Sequence, residues 1–134
     1  MEDERCARQL ESVGLEAFVE EWYRQPLFAS LRRREDLLGR TVEHRLSNDP
    51  HELARSLRAM GTGNQKPLWD ELARIAVPVL AIAGELDEKY SGICSRMQTE
   101  GGVSMAVVPG VGHNVHLEAP DEYTRLLRGF LKAL

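Results

Sequence analysis

The stretch VVPGVGHNVHLEAP (107–120) sets two histidines, His113 and His116, three positions apart between a short apolar run and a proline. Imidazole titrates nearer neutrality than any other side chain, so such a pair can act as metal ligands, as acid and base, or as packing. A zinc site needs further ligands from Cys, His, Asp or Glu at suitable spacing. No Cys or carboxylate cluster supplies them, and Glu118 reads as a helix-start residue, so no metal is expected. The alternative chemistry needs one carboxylate. Asp87, in GELDEKY, precedes His113 by 26 residues (113 − 87). A buried carboxylate that accepts from one imidazole nitrogen fixes the tautomer and leaves the other nitrogen as a base. Taken singly, an aspartate in such a loop is a turn or cap residue, and a histidine before a helix is structural. Whether the two meet depends on the elements that carry them.

VPVLAIAG (77–84) is a continuous apolar run closed by glycine and reads as a strand buried on both faces, the parallel-sheet type. A helix is expected from about residue 90 to 99, weakened by Gly92, and VSMAVVPG (103–110) reads as a second strand. In 120–134 the apolar residues Tyr123, Leu126, Leu127, Phe130, Leu131 and Leu134 recur with the period of an amphipathic helix. Asp121 and Glu122 fall in its first turn, where the macrodipole favours them. Strand, loop, helix, strand, loop, helix predicts two parallel βα units. Asp87 and His113 then follow the carboxyl ends of neighbouring strands, where the catalytic groups of open parallel sheets gather, within reach of one hydrogen bond. Gly110 and Gly112 allow a tight turn that aims His113 back over the strand ends, which leaves His116 to pack or cap.

The first half reads as helical, from residue 2 to about 73. Cys6, Leu10, Val13 and Ala17 recur at helical spacing, and Phe18 and Trp22 continue that side. Pro26 breaks the pattern and a charged helix is expected over 31–46. In SNDP, Asn48 or Asp49 can cap the next helix and Pro50 suits its first turn, with Leu53, Ala54, Leu57 and Met60 as its apolar face. Pro67 is expected to open a last short helix carrying Trp69 and Leu72. The division expected is 1–74 as a helical region and 75–134 as the βαβα part. With two strands in all, 77–84 lacks the neighbours that a strand apolar on both faces requires, so the chain is expected to be part of something larger.

Composition narrows the classes. The chain has 134 residues, 43% hydrophobic and 28% charged, as in an ordinary globular domain. A formal net charge of −4 argues against a protein built to coat nucleic acid or an anionic membrane. Two cysteines, Cys6 and Cys94, imply no disulfide framework. No apolar stretch approaches the roughly 20 residues of a membrane span. The start, MEDERCARQLES, is polar and acidic rather than signal-like, and a cytoplasmic location is expected. No cofactor is expected.

The apolar strand with GELD, the second strand and GVGHNVHLEAP together resemble the C-terminal end of the α/β-hydrolase family, whose triad runs Ser, Asp, His along the chain. FVEEWYRQPLFASL, RLSNDP and SLRAMGTGNQKPLW resemble the cap of one branch, the 2-succinyl-6-hydroxy-2,4-cyclohexadiene-1-carboxylate synthases of menaquinone biosynthesis. The resemblance spans nearly the whole chain. It implies a partial α/β-hydrolase fold, a helical cap followed by two parallel βα units, in an enzyme that eliminates pyruvate from a cyclohexene tricarboxylate. In that branch the triad serine acts as the proton-abstracting base. Carried over, the triad Asp and His fall on Asp87 and His113. Trp22 and Phe28 match the aromatic residues of the substrate pocket, and Arg45 matches the arginine that meets a substrate carboxylate. A planar guanidinium suits a carboxylate bidentately.

The chain also departs from the family. Members are roughly twice as long, and no G-x-S-x-G occurs in this sequence. Without that serine and its oxyanion hole the largest electrostatic contribution is missing. The expectation is therefore the C-terminal half of such a synthase, beginning where the cap begins and inactive alone, with the missing N-terminal half or a second copy as partner. A fragment of a generic esterase or C–C hydrolase, and a non-catalytic self-associating module, are the other readings.

Overall fold

A computed structural model of the chain describes residues 2–134. In chain order the helices are α1 (Glu2–Val13), α2 (Leu15–Arg24), α3 (Ala29–Arg32), α4 (Glu35–Leu46), α5 (Pro50–Met60), α6 (Glu88–Gly101), α7 (Val115–Glu118) and α8 (Pro120–Lys132). The strands are β1 (Leu80–Gly84) and β2 (Ser104–Val108), and 3-10 turns occupy Pro26–Phe28, Thr62–Asn64 and Trp69–Arg74. Two compact units result. One comprises the residues up to Gln25 together with Arg34–Pro67; the other comprises Pro26–Arg33 and Leu68–Leu134. Compactness thus groups 26–33 and 68–74 with the strands, unlike a division between residues 74 and 75.

The first unit is all helical. Ala7, Leu10 and Ala54 are fully buried where α1 meets α5, and the two alanines let the helix backbones approach closely. Leu15, Phe18, Leu53 and Leu57 pack around them. Gly14 ends α1 at φ +83, a left-handed conformation that glycine adopts without strain, and its N–H donates to Leu10 O at 3.0 Å. Asp49 caps α5, accepting from His51 N–H at 2.8 Å and Glu52 N–H at 2.9 Å, with Pro50 in the first turn as expected. Arg58 on α5 grips Glu11 through two bonds of 2.6 and 2.8 Å and Glu4 through one of 2.9 Å. Those bonds hold the Glu4 and Glu11 carboxyls below their usual range.

The helix expected over 31–46 is instead two, α3 and α4. The charge sequence explains the break. Arg32 ends α3, where cations suit the negative end of the dipole, and Glu35 and Asp36 begin α4, where anions suit the positive end.

The second unit is built on β1 and β2, which pair in parallel from Leu80 with Ser104 to Gly84 with Val108. Val108, Val111 and Val115 form its core, with Ile82, Ala119, Tyr123 and Leu126 against them. Both strands are shorter than the sequence runs. Pro78 has no N–H to donate to the ladder, and Val77 is 68% exposed, although Val79 O still accepts from Ser104 N–H at 2.9 Å. The expected two-sided burial of β1 is confined to its end: Ala83 and Gly84 are buried and Leu80, Ala81 and Ile82 only half-buried. Likewise α8 only half-buries its stripe, at Tyr123 and Leu126, while Leu131 and Leu134 stay exposed. Helix α6 is longer than expected, because Asp87 caps it and Gly102, at φ +65, ends it. The expected helix at Trp69 and Leu72 is a 3-10 turn, with the Arg96 guanidinium 3.9 Å above the Trp69 ring and Leu72 against Gly101. No helix among the described residues is long and apolar enough to cross a membrane.

Candidate active site

β1 ends at Gly84 and the chain turns at once into α6. Asp87 N–H donates to Gly84 O at 3.1 Å, and the Ser91 hydroxyl donates to the same oxygen at 2.9 Å. Asp87 is the N-cap of α6: its Oδ1 accepts from Tyr90 N–H at 3.1 Å. Its Oδ2 faces the loop after β2, where His113 Nδ1–H donates at 2.6 Å. The aspartate is thus a cap and a histidine partner together, one oxygen for each. Its side chain is 4% exposed and that of His113 29%.

The loop bearing His113 is tied down residue by residue. Leu86 N–H donates to Val111 O at 2.9 Å, and Gly110 N–H donates to Glu85 Oε2 at 2.8 Å. Gly110 has φ +67, so the expected tight turn is present there. Gly112 is required for a different reason, which is space: a Cβ on it would stand 1.9 Å from Ser30 Oγ. A Cβ on Gly84 would lie 2.1 and 2.3 Å from the carbonyl oxygens of Gly112 and Val111. The end of β1 and the histidine loop therefore touch backbone to backbone.

Two rings flank the imidazole. Tyr90 lies tilted against His113 at 4.7 Å between centroids, and Phe28 meets it edge-on at 5.9 Å. Phe28 is 5% exposed. His116 stands apart from this pair and meets Tyr123 edge-on at 6.2 Å in the packing of α7 on α8. Cys94 lies on α6; burial, then the charge of Asp87, pushes its thiol up, so it stays protonated rather than serving as a thiolate. Among the described residues no three His, Cys, Asp or Glu side chains gather as a metal site would need.

Of the residues singled out from sequence, the structure brings Asp87, His113 and Phe28 together. Trp22 and Arg45 belong to the helical unit. Trp22 stacks on Phe18 at 5.8 Å, and the two line a small cavity with Cys6, Gln9 and Gln25. Arg45 Nε donates to Tyr23 Oη at 3.4 Å. Sequence reasoning missed Tyr90, Glu85 and Glu118. For Tyr90 a signal existed, because a capping aspartate reaches the N–H three residues on.

A buried aspartate bonded to a histidine at the carboxyl ends of paired parallel strands can fix the imidazole's tautomer and leave its other nitrogen free to act as a base. No family model matches the chain. A protein of Bacillus subtilis (strain 168) named putative 2-succinyl-6-hydroxy-2,4-cyclohexadiene-1-carboxylate synthase is 40% identical over 136 aligned positions, covering 100% of this chain and 50% of the relative. The synthase of that name from Serratia proteamaculans (strain 568) is 31% identical, over 96% of this chain and 48% of its own length. The solved structure of MenH from S. aureus superposes with a TM-score of 0.94 at 37% identity, over 98% of this chain and 50% of that one. The chain spans about half the length of the relatives it matches. In sequence and in fold, this chain corresponds to the C-terminal half of an α/β-hydrolase-fold 2-succinyl-6-hydroxy-2,4-cyclohexadiene-1-carboxylate synthase.

Proposed function

We propose that Asp87 and His113 are two members of the Ser-Asp-His triad of such a synthase, and that the serine comes from a segment outside these 134 residues. One observation carries the reading: the 2.6 Å bond from His113 Nδ1 to a 4% exposed Asp87 side chain. Asp87 fixes the tautomer, so Nε2 is the nitrogen left to take the serine's proton, and the carboxylate stabilises the imidazolium that forms. The serine oxygen so activated abstracts a proton from a cyclohexene tricarboxylate and pyruvate leaves. Arg45 meets a substrate carboxylate and Trp22 lines the substrate pocket, while Phe28 forms the wall against which His113 rests. The partners are this small carboxylate substrate and the N-terminal half of the enzyme, in the cytoplasm, with neither nucleic acid nor membrane. No metal or cofactor enters the reaction.

On this reading the chain alone is inactive, since it brings neither the proton-abstracting oxygen nor an oxyanion hole. The test supplies the N-terminal half of the Bacillus subtilis relative, purified or co-expressed, and follows pyruvate. Release is expected from the combined halves and not from this chain alone. Two halves that associate yet release no pyruvate would overturn the function, and release from the chain alone at the rate of an intact synthase would overturn its dependence on a partner.

A further inference from the structure

Glu118 is a buried carboxylate to which the triad gives no task. It ends α7, is 9% exposed, and turns back over the loop before the helix. Oε2 accepts from Gly112 N–H at 3.3 Å and Oε1 from Asn114 N–H at 3.4 Å. Those two amides bracket His113 in the chain. A buried carboxylate is tolerated where hydrogen bonds replace its water, and here the donors belong to the main chain of the histidine loop. The approach is close: a Cβ on Gly112 would stand 3.2 Å from Glu118 Oε1. With Glu85 on Gly110 N–H, carboxylates hold this loop before, beside and beyond His113.

We propose that Glu118 is a positioning residue for His113. Gripping the amides on both sides restrains the backbone of His113, which sets how Nδ1 meets Asp87 and the direction in which Nε2 is presented. That His113 serves catalysis rests on the function proposed above; that Glu118 orients it does not.

The test is NMR on this chain labelled with ¹⁵N and ¹³C. In the unaltered protein nuclear Overhauser effects are expected between the Glu118 γ protons and the amide protons of both Gly112 and Asn114. Absence of both effects would overturn the proposal, and this needs no variant. Glu118→Gln keeps the size but turns one accepting oxygen into a donor facing an N–H. It is expected to keep the far-ultraviolet dichroism and lose the low-field signal of the proton on His113 Nδ1. Glu122→Gln, which alters a carboxylate on α8 paired with Arg125, is expected to keep that signal. A folded Glu118→Gln protein with the signal intact would also overturn the proposal. With the N-terminal half supplied, Glu118→Gln should lower kcat by about 10- to 100-fold with KM little changed, the scale of a misplaced catalytic group. If the unaltered halves release no pyruvate, the function fails, while the His113 signal still decides the role of Glu118.

Discussion

Asp87 and His113, 26 residues apart in the chain, are joined through Oδ2 and Nδ1 at 2.6 Å, and the other oxygen of Asp87 caps α6 through Tyr90 N–H. The histidine's tautomer is therefore tied to the start of a helix. In the enzyme completed with its N-terminal half, His113→Ala should lower turnover by orders of magnitude, because it removes the proton relay. His116→Ala, which alters only an edge contact with Tyr123, should change it far less. Steady-state kinetics of the two variants decide the matter, and equal losses would refute the assignment.

Asp87→Asn separates the two jobs of Asp87. Asparagine caps helices as well as aspartate, so the thermal unfolding midpoint should move little. Turnover should fall by roughly the 10⁴ known for a triad aspartate changed to asparagine, since the amide no longer enforces the correct tautomer. A large loss of stability with modest loss of turnover would mean that capping is the main role.

Two glycines of the strand-bearing unit should respond oppositely to alanine. At Gly84 the new methyl would meet the carbonyl oxygens of Gly112 and Val111 at 2.1 and 2.3 Å, backbone that can yield only by displacing the histidine loop. Gly84→Ala should destabilise by about 1–3 kcal/mol, as overpacking does. At Gly92, inside α6, nothing lies within 4 Å of the new atom. Gly92→Ala should stabilise by about 0.5–1 kcal/mol through helix propensity. Chemical denaturation of both variants tests the pair.

The helical unit should depend on acid through Arg58. Hydrogen bonds from Arg58 hold the Glu4 and Glu11 carboxyls below the ordinary value of 4.5. A depressed folded pKa contributes stability above the unfolded value, and that contribution is lost as pH falls through the folded one. Helicity should therefore decline below about pH 4.5, and Arg58→Ala should flatten that decline, as circular dichroism against pH would register.

The sheet of the described residues has two strands, and each has one edge unpaired within it. An open edge pairs with another chain or invites aggregation. The isolated chain is expected to self-associate, and the N-terminal half to compete with that self-association. Sedimentation velocity over a range of concentrations, with and without that half, tests this. A mass that stays monomeric throughout would refute it.

The sequence alone determined both strands and most of the helices, the parallel βα order and the placement of Asp87 and His113 after successive strands. Those features follow from local periodicity and from the rule that active groups gather at strand carboxyl ends. It also separated His113 from His116, through the glycines beside the former. It missed the break between α3 and α4, although the reversal from Arg32 to Glu35 was there to be read. The tertiary structure decided what depends on approach between distant residues. Gly112 is a glycine because Ser30 leaves no room, and Phe28 is a wall for His113. Asp87 divides its oxygens between a helix and a histidine. Glu118, which reads locally as a helix-start carboxylate, is folded back onto the amides around His113. Spacing along a chain fixes which face of an element a residue occupies, but a hydrogen bond needs its donor and acceptor within about 3 Å, and packing sets that distance.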